Sequence, residues 1–118
     1  MLTPYMKNYI LRFRASDKDI FDALISGQKK VETRAASVRY KNMSVNDMVT
    51  LVCGESKKTK RIKKVKIYKS LDALLRAYKV SDIAPSLKTK AELQALYASF
   101  TGYIEKIKQF GFLAIELE

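Results

Sequence analysis

The N-terminal part of the chain changes from a strand pattern to a helix pattern. Polar and apolar positions alternate from Asn8 to Arg14, which predicts a half-buried strand. Ser16 has a residue type favoured at helix N-termini, and apolar residues then recur at helical spacing as far as Ile25. Gly27 can adopt the left-handed conformation that ends many helices. We therefore predict a strand, a helix capped by Ser16 and a tight turn at Gly27.

A short, highly charged strand is predicted directly after this turn. β-branched residues alternate with Glu32 and Arg34, and Lys30 precedes them in the same phase. In an extended chain Lys30, Glu32 and Arg34 share one face, and the β-branched residues share the other, core-directed face. Lys29 lies in the turn itself, so we expect its ammonium group to approach the charged face from the rim.

The middle of the chain predicts two further strands. Residues 48–53 are apolar on both faces, which favours a strand in a small barrel whose outer side is covered by a helix. In the run from 57 to 68, the apolar residues change phase near Lys63 and Lys64, which predicts a β-bulge at that point.

The last part of the chain is predicted to be mostly helical. A first helix is capped by Ser70, and a loop with one helical turn follows at 80–88. A capping box at Thr89 and Glu92 begins a longer helix, which is interrupted near Gly102 and ends at Gly111. The last strand is predicted at 112–117. Tyr97 and Phe100 fall on the apolar stripe of the longest helix. Their spacing predicts core residues rather than a stacking site for a ligand.

Composition limits the chemistry that the chain can carry. With 118 residues, 47% of them hydrophobic, the chain is expected to form a single domain over residues 1–118. Cys53 is the only cysteine and there is no histidine, which excludes an internal disulfide, a His/Cys zinc cage and imidazole catalysis. We predict that Cys53 is a small core residue, and nothing indicates a metal or a cofactor. Any proton transfer would fall to Lys, Asp, Glu, Tyr or water.

The charge of the chain points to a polyanionic partner. Twenty-three Lys and Arg residues against twelve Asp and Glu give a formal net charge of +11. Such an excess attracts phosphates, so RNA or a nucleotide is the expected partner, with DNA as an alternative. Met1 to Ile10 contain no apolar leader, and no run of about 18 apolar residues occurs. We therefore expect a cytoplasmic protein without membrane contact.

Basic residues are concentrated in two further segments. The predicted strand after residue 56 carries Lys57, Lys58, Lys60, Arg61, Lys63 and Lys64. A loop without clear periodicity carries Arg39 and Tyr40. The functional interpretation is a strand that contacts phosphates and a loop that grips phosphate and stacks a base. The alternatives are lysines that protect a sheet edge from pairing with other chains, and an ordinary solvated loop.

The order of these elements resembles that of the activating-signal-cointegrator homology (ASCH) domain, a relative of the PUA domain. The residues that carry the resemblance are Gly27, Lys29, Glu32 and Arg34, the Asn46–Asp47 turn, Val65–Leu71 and Gly111–Glu116. The resemblance extends from Asn8 to Glu118. It implies an α+β fold, in which a small PUA-like β-barrel of about five to six strands is flanked by α-helices, and a cleft rimmed by the motif strand.

The resemblance also implies two functions. Members of this family have been linked to RNA binding and RNA processing, and one subgroup of small single-domain proteins hydrolyses N4-acetylcytidine. In that subgroup the motif carries a lysine matched by Lys29, and a threonine nucleophile where this chain has Glu32. A later catalytic glutamate of the subgroup has only Asp82 or Ser86 as counterparts here. The resemblance thus implies a cleft that binds RNA or a nucleotide and, as the alternative, a small hydrolase.

Three classes of function stay open from the sequence. In a binding module, Lys29, Lys30 and Arg34 would hold a phosphate or a base edge, while Glu32 would position Arg34 or accept a base amino group. In an enzyme, Lys29 and Glu32 would form an acid/base pair acting on a modified nucleoside or on RNA. A protein-interaction module would use the basic face for an acidic partner. The alternative to all three is that Glu32 and Arg34 form an ordinary stabilising ion pair.

Overall fold

The structure, a computed structural model, describes residues 6–118. The strands are β1 (Asn8–Phe13), β2 (Glu32–Ala35), β3 (Met48–Cys53), β4 (Ser56–Tyr68) and β5 (Phe112–Leu117). The α-helices are α1 (Lys18–Ser26), α2 (Leu71–Ala77), α3 (Val80–Ile83), α4 (Lys90–Ala98) and α5 (Tyr103–Phe110). Two 3-10 turns span Ala15–Asp17 and Val38–Tyr40.

The five strands form one curved sheet in the order β1-β3-β4-β5-β2. β1 runs parallel to β3, and the other neighbouring strands are antiparallel. The sheet is a half-barrel whose edge strands, β1 and β2, are joined across the open seam by a side chain. The Arg34 guanidinium on β2 donates a hydrogen bond of 3.2 Å to the carbonyl oxygen of Arg12 on β1. The predicted α+β architecture of a small barrel-like sheet with flanking helices is confirmed.

The long strand β4 changes its partner halfway along its length. Residues 56–61 pair with β3, and residues 62–68 pair with β5. The change coincides with a register shift between Ile62 and Lys64, which confirms the predicted bulge. Because a bulge adds a residue and increases the local twist, one strand can serve both halves of the curved sheet.

Two hydrophobic cores lie on opposite sides of the β2-β5 part of the sheet. The first fills the inside of the half-barrel, where Leu11, Leu51 and Ile115 are fully buried and α1 contributes Phe21. The second lies between the sheet and helices α2 to α5. Consecutive residues of β2 and β5 therefore point into different cores, which explains why the first four residues of β5 are all buried.

Most helix ends lie where the sequence predicts them. Gly27 ends α1 at φ +85°, Gly102 separates α4 from α5, and Ser70 caps α2 with its side chain. The capping box of α4 is also present. The prediction that Ser16 caps α1 is wrong. A 3-10 turn precedes α1, and within residues 6–118 no side chain caps either of these two elements.

A second correction concerns β3. Val49, Leu51 and Cys53 are buried in the first core, so Cys53 is a core residue as predicted. The opposite face of β3 is half-exposed, so the prediction that a helix covers this outer side is wrong. Helix α1 packs on the inner side instead, through Phe21 and Leu24. Thr50 on the outer face hydrogen-bonds Thr59 of β4 at 2.9 Å.

None of the helices in residues 6–118 is long and apolar enough to cross a membrane. The prediction that Met1 to Ile10 contain no leader concerns in part residues 1–5, which lie outside the described residues. The prediction of a single domain over residues 1–118 stays a prediction.

Candidate functional site

A cleft of about 880 Å³ lies between the open seam of the half-barrel and the helices α4 and α5. Its walls come from the end of β1, the start of α1, the strand β2, the segment 83–87 and the facing sides of α4 and α5. Lys29, Glu32 and Arg34 all line this cleft. The structure thus brings together the three charged residues of the motif strand and its turn.

Glu32 forms the centre of this group, which we call the charged triad. Its Oε1 lies 3.4 Å from the Nζ of Lys29, and its Oε2 lies 3.0 Å from the Nη2 of Arg34. The Nε of Arg34 donates to the same Oε2 at 3.1 Å, and the backbone N–H of Thr33 donates to Oε1 at 3.2 Å. Four donors therefore meet the two carboxylate oxygens, which is about the full capacity of a carboxylate.

The local backbone explains why these side chains converge. After Gly27 the backbone N–H of Lys29 donates a hydrogen bond to the carbonyl oxygen of Ala23 in α1. The backbone N–H groups of the next two residues, Lys30 and Val31, both donate to the carbonyl oxygen of Asp82. These bonds hold the turn against α3. Lys29 also donates from its Nζ to the carbonyl oxygen of Ile83, the last residue of that helix. Lys29 is thus only 5% exposed, and the prediction that it reaches the site from the rim is wrong.

The two faces of β2 are both buried. Glu32 and Arg34 pair with Ile115 and Leu113 of β5 and share the inner face, as the strand alternation predicts. Thr33 lies on the other face, where its hydroxyl meets the Tyr97 hydroxyl at 2.7 Å. Glu32 is only 4% exposed. The charged face is therefore the floor of a cleft, and the two edge strands meet at it.

Burial and charge act in opposite directions on the triad. Burial lowers the pKa of Lys29, and the neighbouring Glu32 carboxylate compensates only in part. Burial also acts to lower the pKa of Arg34, but Glu32 outweighs it, so that pKa lies above its ordinary value. Burial raises the pKa of Tyr97 and Tyr103 above the ordinary value of a phenol, so ionisation of either hydroxyl is disfavoured in the cleft.

Two donor groups of the triad line the cleft, but Lys29 does so from a side chain that is only 4% exposed. In residues 6–118, the contacts of Arg34 involve Nε and Nη2, so its Nη1 is uncommitted. No buried nitrogen or oxygen of the described side chains lacks a partner, so Nη1 is open to solvent. Lys29 has two oxygen neighbours and three N–H groups. The site therefore presents donors to a ligand, while Glu32 holds them in position rather than accepting a further bond.

Aromatic rings and guanidinium groups form the walls above the triad. Arg34 lies over the ring of Phe13, with its Cζ 4.9 Å from the ring centre. Arg14 lies over the ring of Phe100 at 4.6 Å. Tyr103 contacts Phe100 edge to face, with ring centres 5.6 Å apart. Layers of this kind suit a planar ligand, because aromatic and guanidinium faces both stack on flat rings.

The cleft lining is balanced in charge. It contains four basic residues, namely Arg12, Arg14, Lys29 and Arg34, and four acidic residues, namely Asp17, Asp19, Glu32 and Glu92. The excess positive charge of the chain therefore lies elsewhere on its surface. This finding departs from the predicted basic cleft.

The remaining predicted residues lie outside the cleft lining. Lys30 is exposed and does not share the buried face of Glu32 and Arg34. Tyr40 is 8% exposed and packs in the first core, with Arg39 over its ring at 5.4 Å. The prediction that Tyr40 stacks a base is therefore not supported. Its position in a 3-10 turn directs the ring inward.

The basic residues of β4 form a separate surface. Lys57, Lys58, Lys63 and Lys64 are exposed along the strand. Lys60 is half-buried and donates to the carbonyl oxygens of Leu24 and Ile25 at the end of α1. Arg61 forms an exposed ion pair with Glu118. None of these β4 residues lines the cleft.

The sequence did not identify several cleft residues. Phe13 and Arg14 stand at the end of a strand, and Phe100 was assigned to the core because of its helical spacing. Arg14 and Phe100 are in contact although more than eighty residues separate them in the sequence, so no local pattern could show that they are neighbours. Of the two candidates for a later catalytic residue, Ser86 lines the cleft, whereas Asp82 accepts a backbone hydrogen bond at the start of α3.

Within residues 6–118, no group of three or more His, Cys, Asp or Glu side chains is placed to hold a metal ion. The polar side chains that line the described part of the cleft carry ammonium, guanidinium, carboxylate, amide and hydroxyl groups.

Comparisons with known proteins support the fold. No protein-family model matches the chain, and no curated protein matches it either. The crystal structure of hypothetical protein PH0355 is similar over 94% of this chain and 97% of its own, with 22% identity and a TM-score of 0.79. The solution NMR structure of protein PF0455 from Pyrococcus furiosus is similar over 96% of both chains, with 23% identity and a TM-score of 0.69. At these identities the likeness shows the fold alone.

Proposed function

We propose that this chain is an ASCH-type binding module of the cytoplasm, and that its cleft binds a nucleobase of RNA or of a nucleotide. The observation that carries the proposal is the charged triad at the floor of a cleft walled by Phe13 and Phe100. A base stacks on the aromatic and guanidinium faces, while donors of Lys29 and Arg34 bond its carbonyl oxygens or ring nitrogens.

The chemistry of the triad narrows what the cleft recognises. Because Glu32 already meets four donors, it is a positioning residue for Lys29 and Arg34. The ligand edge that the triad recognises consequently carries acceptors, such as the carbonyl oxygen and ring nitrogen of a pyrimidine. The balanced charge of the lining is consistent with a base in the cleft and with phosphates outside it.

The test is a binding titration with the four ribonucleosides, their monophosphates and short single-stranded RNA. Phe100→Leu removes a stacking surface while keeping an apolar side chain. We expect affinity to fall by about 5-fold to 150-fold, since a base–aromatic stack contributes about 1–3 kcal/mol. Phe110→Leu is the matched control, because Phe110 is half-buried against the first core and does not line the cleft.

Arg34→Gln separates the proposal from a purely structural ion pair. If the triad only stabilises the fold, this variant will melt at a lower temperature and still bind nucleotides with unchanged affinity when measured below its melting point. If the triad recognises the base, affinity will fall in the folded variant. Absence of binding to every nucleoside, nucleotide and RNA tested with the unmodified chain would overturn the proposal.

A hydrolase is the second candidate, and one observation favours it. Lys29 is buried, its pKa is lowered, and it lies 3.4 Å from Glu32 inside the cleft. An amine that loses its proton more easily can act as a general base. In this reading Lys29 and Glu32 share the proton-transfer steps of amide hydrolysis in an N4-acetylcytidine-type nucleoside.

Incubation of the purified chain with N4-acetylcytidine, followed by chromatography of cytidine and acetate, tests this candidate. Lys29→Met keeps most of the apolar stem and removes the amine. Turnover by the unmodified chain that disappears in the folded variant would establish the reaction. Equal traces of product with both chains would indicate a contaminating enzyme and eliminate the candidate.

A further inference from the structure

A second, smaller cavity lies next to the cleft and has a very different charge. It measures about 230 Å³ and is lined by Leu24, Gly27, Lys29, Lys30, Lys60, Lys63, Glu116 and Leu117. Four of these residues are lysines and one is acidic, so its lining carries a formal charge of +3. We call it the lysine cavity. In contrast to the balanced cleft, it is suited to an anion.

The lysine cavity and the cleft are neighbours because they share Lys29. This buried side chain lines both. The turn that follows α1 separates the two spaces, with Gln28 on the side of the cleft and Lys30 on the side of the lysine cavity. A ligand that occupies the cleft therefore has a cationic cavity directly across this turn.

The bulge in β4 explains why Lys60 and Lys63 line the same cavity. In a regular strand, residues three apart point to opposite faces. The register shift between Ile62 and Lys64 breaks this alternation, so both lysines contribute to one lining. Lys60 is held in place by the carbonyl oxygens at the end of α1 at 3.0 and 3.4 Å.

Two of the four lysine charges of the cavity are uncompensated, whereas Lys29 is paired with Glu32 and Lys60 is bonded to carbonyl oxygens. Within residues 6–118, neither Lys30 nor Lys63 forms an ion pair with an acidic side chain. The acidic member, Glu116, accepts a 2.7 Å hydrogen bond from the Tyr78 hydroxyl and lies 4.0 Å from the Nζ of Lys64. Two free ammonium groups therefore remain to meet an anion.

We propose that the lysine cavity is a phosphate subsite, and that the ligand is a nucleotide chain with its base in the cleft and a backbone phosphate in this cavity. The inference rests on the proposed function for the base and adds the place of the phosphate. It assigns the two unlike cavities to the two unlike parts of one ligand. It also makes the preferred ligand an oligonucleotide rather than a free nucleoside.

The experiment compares two double variants that remove the same charge. Lys30→Ala with Lys63→Ala removes the two unpaired lysines of the lysine cavity, whereas Lys57→Ala with Lys58→Ala removes two exposed lysines of β4 that lie outside it. A single-stranded RNA of four nucleotides is titrated against each by fluorescence anisotropy. We expect about tenfold weaker binding for the first variant, the effect of one charge-assisted hydrogen bond, and under about twofold for the second.

Salt dependence gives an independent measure of the same contact. The plot of log affinity against log salt concentration has a negative slope, and loss of one phosphate contact to a single strand makes it shallower by about 0.7. We expect that shallower slope in the cavity variant and no such change in the control. Nucleoside affinity should be the same in both variants, because the base lies in the cleft.

Inorganic pyrophosphate, followed by NMR, tests the cavity without the base. Shifts of the backbone amides of Lys30 and Lys63 in the unmodified chain, lost in the cavity variant, support the phosphate subsite. Equal loss of RNA binding in both double variants, or no pyrophosphate shift at these amides, would overturn it. If no nucleoside or RNA binds but pyrophosphate shifts these amides, the proposed cleft function fails and the anion subsite stands.

Discussion

Glu32→Gln is the substitution that most directly tests the account of the triad. The replacement keeps the shape of the side chain and removes the negative charge between two buried or partly buried cations. Side-chain exposure is 4% for Lys29, 6% for Glu32 and 23% for Arg34. The glutamine amide group would also direct N–H donors toward one of these cations. The variant therefore leaves Lys29 and Arg34 facing each other without a counter-charge.

The magnitude follows from the geometry. With an effective dielectric constant of about 20, the separations of 3.4 and 3.0 Å correspond to about 5 kcal/mol of attraction for each pair. Desolvation offsets much of this gain, and loss of one partner from a buried pair costs about 3–5 kcal/mol. Because Arg34 keeps contact with solvent, we expect about 3 kcal/mol, or a melting temperature lower by about 12 °C.

The pH dependence adds a second signature. In the folded chain the pKa of Lys29 is already below its ordinary value. Between that lowered pKa and about 10.4, the unfolded chain binds more protons than the folded chain, so the free energy of unfolding rises with pH. Without Glu32 the folded pKa falls further, and this rise begins at a lower pH. The stability difference between the two chains should therefore narrow from pH 7 to pH 10.

Urea denaturation at pH 7 and pH 10 measures both quantities. Glu118→Gln is the control, because its ion pair with Arg61 is about half-exposed and should contribute less than about 1 kcal/mol. A loss for Glu32→Gln below about 1 kcal/mol at pH 7, with the same value at pH 10, would refute the account. The triad would then behave as an ordinary surface pair.

Two further predictions concern positions that hold the site together. Gly111→Ala should destabilise the fold by about 3 kcal/mol or more in urea denaturation, because φ is +82° with ψ −176° and a Cβ would lie 2.7 Å from the Tyr68 carbonyl oxygen. Gly27→Ala meets no atom within 4 Å and should cost only about 1–2 kcal/mol; equal losses at the two glycines would contradict this reasoning. Tyr97→Phe should cost about 1 kcal/mol by removing the 2.7 Å contact with the Thr33 hydroxyl, and adding Thr33→Val should recover part of that loss. Strictly additive losses in this double-mutant cycle would show that the two hydroxyls are not coupled.

Much of the local structure could be predicted from residue patterns. Strand alternation identified β1, short apolar segments identified β3 and β5, and the phase change near Lys63 identified the bulge in β4. Capping residues and glycines marked the ends of α1, α2, α4 and α5. These features depend on neighbours a few positions apart, so a sequence contains the information directly.

The site was only partly predictable. The charged triad was found because its members lie within six residues of one another. Its burial was missed, since the segment that covers Lys29 comes from α3, more than fifty residues along the chain. Phe100 was likewise taken for a core residue, because helical spacing alone does not distinguish a core from the wall of a cleft.

The sequence by itself determined the strands and helices, the charged turn after α1 and the large positive charge. Tertiary structure alone decided that the lining of the cleft is balanced in charge while the lining of the lysine cavity carries a formal charge of +3. The physical reason is that charge balance depends on which side chains face the same space. In this fold that depends on the docking of α3 to α5 against the sheet and on the bulge in β4. Lys29 belongs to both spaces, a position that only long-range packing could give to a residue in a turn.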